Sequence, residues 1–310
     1  MSIPPLVVIV GPTASGKSAL AVALARLLTG RGHPAEIVNA DSMALYRGMD
    51  IGTAKPSPAE RGGIAHHLID VLDVRETGTV AEFQAMARER IVALRGAGAV
   101  PILVGGSSLY TRAVVDDFEF PGTDPLVRTR WEDELDRLGP AGLHRVLAAR
   151  SPEAARAIPP GNARRVVRAL EVVELTGHYS PHLPEPRYLL ENVHQYGLEL
   201  DRELMDERIA ARVRAMFEQG LVQEVQHLVD DGLREGTTAS RALGYRQVLD
   251  LIEGRIDREQ AIRATIDGTR RFARKQLGWF RRDPRITWLR AGTPGLEQAI
   301  ATDLPVPGRP

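Results

Sequence analysis

The sequence predicts an α/β fold, a parallel sheet flanked by helices and interrupted by a helical insertion. Three observations carry this. Short apolar runs alternate with helical patterns through the first third of the chain, and strands separated by helices imply parallel crossover units. The first run leads through a glycine-bounded loop, "GPTASGKS" (Gly11 to Ser18), into a helix, which is the arrangement of a phosphate-binding loop. Polar clusters follow the second and third runs, at strand ends where the ligand crevice of such sheets lies.

In order, "PLVVIV" reads as a buried strand and Ser18 to Leu28 as a helix. "AEIVNAD" (Ala35 to Asp41) reads as a second strand, Val80 to Arg95 as a helix and "AVPILVGG" (Ala99 to Gly106) as a third strand. Pro/Gly-rich joints at Phe118 to Pro125 and Tyr179 to Tyr188 bracket a helical pattern with no strand candidate. The predicted organisation is a first core part over 1–122 and a helical insertion over 123–192. Residues 193–290 return to the core and add C-terminal helices; 291–310 form a peripheral tail. "VHQYGLEL" (Val193 to Leu200) is the returning strand, and Asp201 to about Phe280 is helical.

The 310 residues are 43% hydrophobic and 26% charged, the balance of a globular chain. No apolar run approaches the roughly 20 residues of a membrane span. The start, "MSIPPLVVIV", lacks a basic segment and a cleavage site, so no signal peptide is expected. There is no cysteine, which excludes disulfides and thiolate metal sites; a cytoplasmic monomer is expected. Net charge is zero, so any polyanion must meet a local basic patch. Lysine occurs at three positions only, Lys17, Lys55 and Lys275, and the other 37 basic residues are arginine.

In the loop, Gly11 and Gly16 let the backbone turn so that N–H groups across Pro12, Thr13, Ala14 and Ser15 can face phosphate oxygens. The helix start adds its positive end. Lys17 is a mobile cation for the outer phosphate, and the Ser18 hydroxyl can ligate Mg²⁺. The plainer alternative is a glycine-rich turn with a surface lysine. Asp41, at a strand end beside the loop, suits metal ligation, or caps the next turn. Arg208 and Arg212 share a helix face at i, i+4. They form either a solvated arginine face or a guanidinium clamp on a diphosphate. From Arg263 to Arg285 there are eight basic and two acidic residues, interleaved with Phe272, Trp279 and Phe280, a mixture suited to a nucleic-acid backbone and a stacked base. "NARRVVRAL" (Asn162 to Leu170) and "SRALGYRQ" (Ser240 to Gln247) add arginines.

Taken together, "GPTASGKS", "NADSMALYRGMDIGTAKP", "HHLID", "PILVGGSSLY", "RRVVRALEV", "RALGYRQ" and "RKQLGWFRR" resemble, in the same order, the bacterial tRNA dimethylallyltransferases. The resemblance runs from about Leu6 to Trp288. It implies a P-loop NTPase-like core whose loop holds the diphosphate of dimethylallyl diphosphate. It also implies transfer of the dimethylallyl group to the exocyclic amine of the adenosine just 3′ of the tRNA anticodon, with Mg²⁺ as cofactor.

By resemblance, Gly11 to Ser18 hold the diphosphate, with Lys17 catalytic and Ser18 on the metal. Asp41 is the general base, and Asp41, Ser42, Met43 and Ala44 contact the target nucleotide. Arg208 and Arg212 grip the diphosphate. Ser107, where many members have threonine, keeps a hydroxyl near the reacting centre. Arg128 lies near the substrates. The tRNA segments are Arg164, Arg165, Val166, Val167 and Arg168, then Arg241, Ala242, Leu243, Gly244, Tyr245 and Arg246, then Arg274, Lys275, Trp279 and Arg281. A small-molecule kinase would use the same loop but leaves the basic aromatic helices unexplained. A GTP-switched RNA-binding protein needs an Asn-Lys-x-Asp motif, and no lysine here follows an asparagine.

Overall fold

The computed structural model describes residues 3–117 and 119–305. Its sheet is built from β1 (Leu6–Val10), β2 (Ala35–Asn39), β3 (His66–His67), β4 (Val100–Gly105), β5 (Val193–Glu199) and β6 (Ile286–Arg290). The order is β3-β2-β4-β1-β5-β6, with every pairing parallel. β1 sits between β4 and β5, where Val8 lies opposite both Leu103 and Gln195. It is buried along its whole length, which is why it is continuously apolar rather than alternating. Leu6, Val8 and Val10 enter one core; Val7 and Ile9 enter the other, as the two-residue period of a strand requires.

The helices supply the two outer layers. α1 (Lys17–Gly30), α2 (Pro58–Arg61), α3 (Val80–Gly96) and α4 (Ser108–Val115) belong to the first part of the chain. After β5 come α8 (Arg202–Glu218), α9 (Leu221–Asp230), α10 (Tyr245–Ile252), α11 (Arg258–Phe280) and α12 (Leu296–Asp303), the intervening numbers α5 to α7 being those of the insert. One core joins Phe83, Ala87 and Ile91 of α3 to the apolar faces of α8, α9 and α10; the other joins Leu20, Leu24 and Leu28 of α1 to Ile300 and Ala301 of α12.

The chain divides into two compact units, one formed by Met1–Asp117 with Arg187–Pro310 and the other by Phe118–Pro186. The second is helical: α5 (Pro125–Arg150), broken at Gly139–Pro140, then α6 (Pro152–Ala157) and α7 (Ala163–Thr176). It has its own core around Trp131, Leu143, Leu147, Ile158, Val166 and Leu170.

The C-terminal segment departs from expectation. The stretch read as a peripheral tail contains α12, whose Ile300 and Ala301, with Leu304 after it, are buried against the α1 side of the sheet. Tyr196 of β5 donates its hydroxyl to Asp303 at 2.7 Å. β6, which was not anticipated, extends the sheet beyond β5. Both elements are short and bounded by Asp283–Pro284 and Gly292–Gly295, so their burial comes from distant partners rather than from local pattern. Residues 306–310 of the expected tail lie outside the described residues.

Candidate active site

The ends of β1, β2 and β4 and the helices α1 and α8 meet at a cavity of about 80 Å³, walled by Thr13, Lys17, Ser18, Asp41, Gly105 and Arg212, among others. A wider cleft of about 950 Å³ adjoins it and shares Lys17, Ser18, Lys55 and Arg212. The loop forms because α1 begins at Gly16, whose backbone is left-handed at φ 90° and which offers no side-chain cap. The first-turn N–H groups of α1 are therefore left for an outside acceptor, and no acidic residue stands in that turn. Ser15 Oγ is buried without a partner among the described residues. These features fit an anion in the loop.

Lys17 donates to the Pro12 carbonyl at 3.3 Å. Burial pushes its pKa down from 10.5 to about 8; the Asp41 carboxylate raises it and Arg212 lowers it further. An anion bound beside Lys17 would favour its charged form and raise that pKa again. Arg212 has no ion pair among the described residues, unlike Lys55, which is held by Asp50 and Asp70 at 2.5 Å each. Desolvation, then the charge of Arg208, lowers the Arg212 pKa, and Glu60 opposes this. Arg208, one turn earlier on α8, is exposed, as is much of Arg212, but only Arg212 is among the cavity walls.

Asp41 leaves β2 through a side-chain turn. Asn39 donates to the Asp41 and Leu68 carbonyls at 2.9 Å each, and accepts from the Asp41 N–H at 3.0 Å. Asp41 Oδ1 then accepts the Met43 N–H at 2.9 Å. One oxygen therefore caps the turn while the carboxylate lines the cavity. Ala44 is buried in the same wall. Tyr110, packed on Phe83 with ring centres 4.8 Å apart, is pushed up to about 12, first by burial and then by Tyr46 and Asp41. Ser107 caps α4, its Oγ accepting the Tyr110 N–H at 3.5 Å.

A hard cation would find oxygen donors here, the Ser18 hydroxyl and the Asp41 carboxylate. Among the described residues there is no group of three or more His, Cys, Asp or Glu that could hold a metal. The donor set fits Mg²⁺ held by one or two protein oxygens and completed by phosphate and water.

The basic residues divide by exposure. Arg274, Lys275, Trp279 and Arg281 are exposed on or just after α11, with Phe272 alongside. Arg282 lies 4.5 Å over the Trp279 ring. Arg241 and Arg246 are exposed, whereas Ala242 and Tyr245 are buried, as is Gly244, and Leu243 is partly so. Tyr245, expected at the RNA, is 0% exposed, so its side chain serves the interior instead. In the second unit Arg164 and Arg165 are exposed, while Val166 and Val167 are core residues, contrary to expectation. Arg128 and Arg168 converge on the buried Glu171 at 2.6 and 2.8 Å. Burial alone would raise the Glu171 pKa; hydrogen bonds from Arg128, Thr123 and Arg168 overcome it and hold Glu171 near 2.

Two structural residues were not anticipated. Glu224 of α9 accepts the N–H groups of Asp50, Ile51 and Gly52 at 3.1, 2.6 and 3.2 Å. Gln276 of α11 reaches the phosphate loop itself. Its only sequence signal was a polar residue on the apolar side of α11, spaced with Ala273 and Phe280.

Residues 44–283 match the family model described as IPP transferase. A tRNA dimethylallyltransferase of Kineococcus radiotolerans is 60% identical over 93% of this chain and 91% of its own. A tRNA isopentenylpyrophosphate transferase of Bacillus halodurans, solved by crystallography, is 38% identical with a TM-score of 0.69, covering 96% of this chain and 94% of that one. A eukaryotic dimethylallyltransferase solved acting on tRNA has a TM-score of 0.80 at 24% identity, over 99% of this chain and 81% of that one, and speaks for the fold alone. On these matches the chain is an enzyme and belongs to the IPP transferase family.

Proposed function

We propose that this enzyme transfers a dimethylallyl group from dimethylallyl diphosphate to the exocyclic amine of the adenosine just 3′ of the anticodon in tRNA. The observation that carries this is the meeting of two sets of groups in one cavity. Lys17, the start of α1 and Arg212 are suited to a diphosphate, and the Asp41 carboxylate that lines the same cavity is suited to an amine.

The exocyclic nitrogen attacks the first carbon of the allyl group, and the carbon–oxygen bond breaks with its electron pair passing to diphosphate. The proton leaves nitrogen for Asp41, a general-base contribution of about 10²–10⁴-fold. Lys17, Arg212 and the loop amides stabilise the charge growing on the leaving group. Mg²⁺, when bound near Ser18, would supply further charge neutralisation. The adenine must leave its stack to enter, which costs less in an anticodon loop than in a duplex. The exposed face of α11 is the proposed RNA contact, with Arg164, Arg165, Arg241 and Arg246. Incubating the enzyme with labelled dimethylallyl diphosphate, Mg²⁺ and unmodified tRNA tests the reading: label must pass to the RNA, and label that stays with the donor refutes it.

A further inference from the structure

Gln276 sits within α11 yet spends both ends of its amide on the active-site loops. Its Oε1 accepts the Thr13 N–H at 2.9 Å, and its Nε2 donates to the Gly106 carbonyl at 2.7 Å. The side chain is 8% exposed, so neither bond is exchanged readily with water, and losing one would leave a polar group unsatisfied. The fit is close on the Gly106 side: a Cβ there would lie 2.5 Å from Gln276 Nε2.

Both partners belong to the reaction centre. Thr13 walls the cavity, and the neighbouring Pro12 carbonyl accepts from Lys17. Gly106 follows Gly105, another cavity wall, and precedes the Ser107 cap of α4. One amide thus fixes the phosphate loop against the end of β4. The residues flanking it in α11, Arg274 and Lys275, face solvent, as do Phe272 and Trp279. Gln276 and these exposed side chains share one helix, so a ligand that shifts α11 from its outer face would also shift the two hydrogen bonds.

We infer that Gln276 is a positioning residue that couples RNA bound on α11 to the affinity of the phosphate loop for its diphosphate. This rests on the proposed reading of α11 as an RNA contact and of the loop as the donor site. The Gln276→Met variant keeps the volume and removes both hydrogen bonds. Gly106→Ala displaces the same amide without altering α11, and guards against a Gln276 variant that fails to fold.

The test measures binding of an unreactive thiolo analogue of dimethylallyl diphosphate by calorimetry, with and without an anticodon stem-loop RNA. In the wild-type enzyme the RNA should change the analogue's affinity roughly fivefold or more, the lower range of measured site-to-site couplings. In Gln276→Met and in Gly106→Ala that ratio should fall to within about twofold, while RNA affinity without the analogue is unchanged. A tie that served only folding would lower the melting temperature and leave the ratio intact, which would overturn the inference. Independent binding of the two ligands to the wild type would overturn it as well, with the proposed activity untouched. If the wild type bound neither ligand, the proposed activity would fall with it.

Discussion

The hydroxyl of Tyr245 lies 2.5 Å from Glu224 Oε1, and the same carboxylate holds the N–H groups of Asp50, Ile51 and Gly52. Burial, then the Glu224 charge, drives the Tyr245 pKa far above its ordinary value, so the phenol stays protonated and donates. Its ring lies so close to Gly52 that a Cβ there would come within 2.4 Å. The pair therefore pins the segment carrying Ala54, Lys55 and Pro56, which wall both cavities.

Tyr245→Phe should destabilise the fold by about 1.5–3 kcal/mol, the worth of a hydrogen bond to a charged group. Glu224→Ala, which orphans three backbone N–H groups, should cost about 3 kcal/mol or more. Denaturant titration measures both. RNA affinity of the folded Tyr245→Phe variant should not change; a large loss would return Tyr245 to the RNA surface.

Asp41→Asn should strongly slow transfer while leaving RNA affinity within a few-fold. Asparagine can still accept the Met43 N–H, so the turn after β2 survives, while the proton acceptor and the negative charge that raises the Lys17 pKa are lost. Single-turnover kinetics should place a loss of about 10²–10⁴-fold in the chemical step. Near wild-type turnover would remove the general-base role.

Donor binding should weaken as pH rises above about 8, where free-enzyme Lys17 loses its proton. The sign follows from linkage: a bound diphosphate favours the charged amine and raises its pKa, so binding near pH 9 takes up a proton. Calorimetry at fixed Mg²⁺ in two buffers of different ionisation enthalpy measures the uptake. Proton release, or none, would contradict the Lys17 assignment. Lys17→Ala should remove about 3 kcal/mol of transition-state stabilisation.

RNA binding should be steeply salt-dependent. Each phosphate neutralised on single-stranded RNA contributes about −0.7 to the slope of log K against log salt, so replacing Arg274 and Lys275 together by Ala should flatten it by about 1.4. Trp279→Ala should cost about 1–3 kcal/mol of affinity with little change in slope, as loss of a stacked base would. An unchanged slope in the double variant would move the RNA away from α11.

What the sequence disclosed follows from how local each signal was. The phosphate loop and Asp41 were legible because strand, turn and helix are contiguous and the turn needs glycine. β1 and β4 announced themselves as short, wholly apolar runs. β6 and α12 did not, because Ile286 to Arg290 is only half-buried and Ile300 meets its partners nearly 280 residues away in α1. The resemblance placed Tyr245 with its neighbours at the RNA, and its burial by Glu224 and Gly52 depends on residues distant in sequence. Gln276 lies within the "RKQLGWFRR" motif, yet its bonds to Thr13 and Gly106 span 263 and 170 residues, which no local pattern encodes.

The most direct measurement is mass analysis of the nucleosides from unmodified tRNA incubated with the enzyme, Mg²⁺ and dimethylallyl diphosphate, with and without ATP. One adenosine, just 3′ of the anticodon, should carry a five-carbon group on its exocyclic nitrogen whether or not ATP is present. Adenosine left unmodified by the allylic donor, with ATP consumed instead, would contradict it.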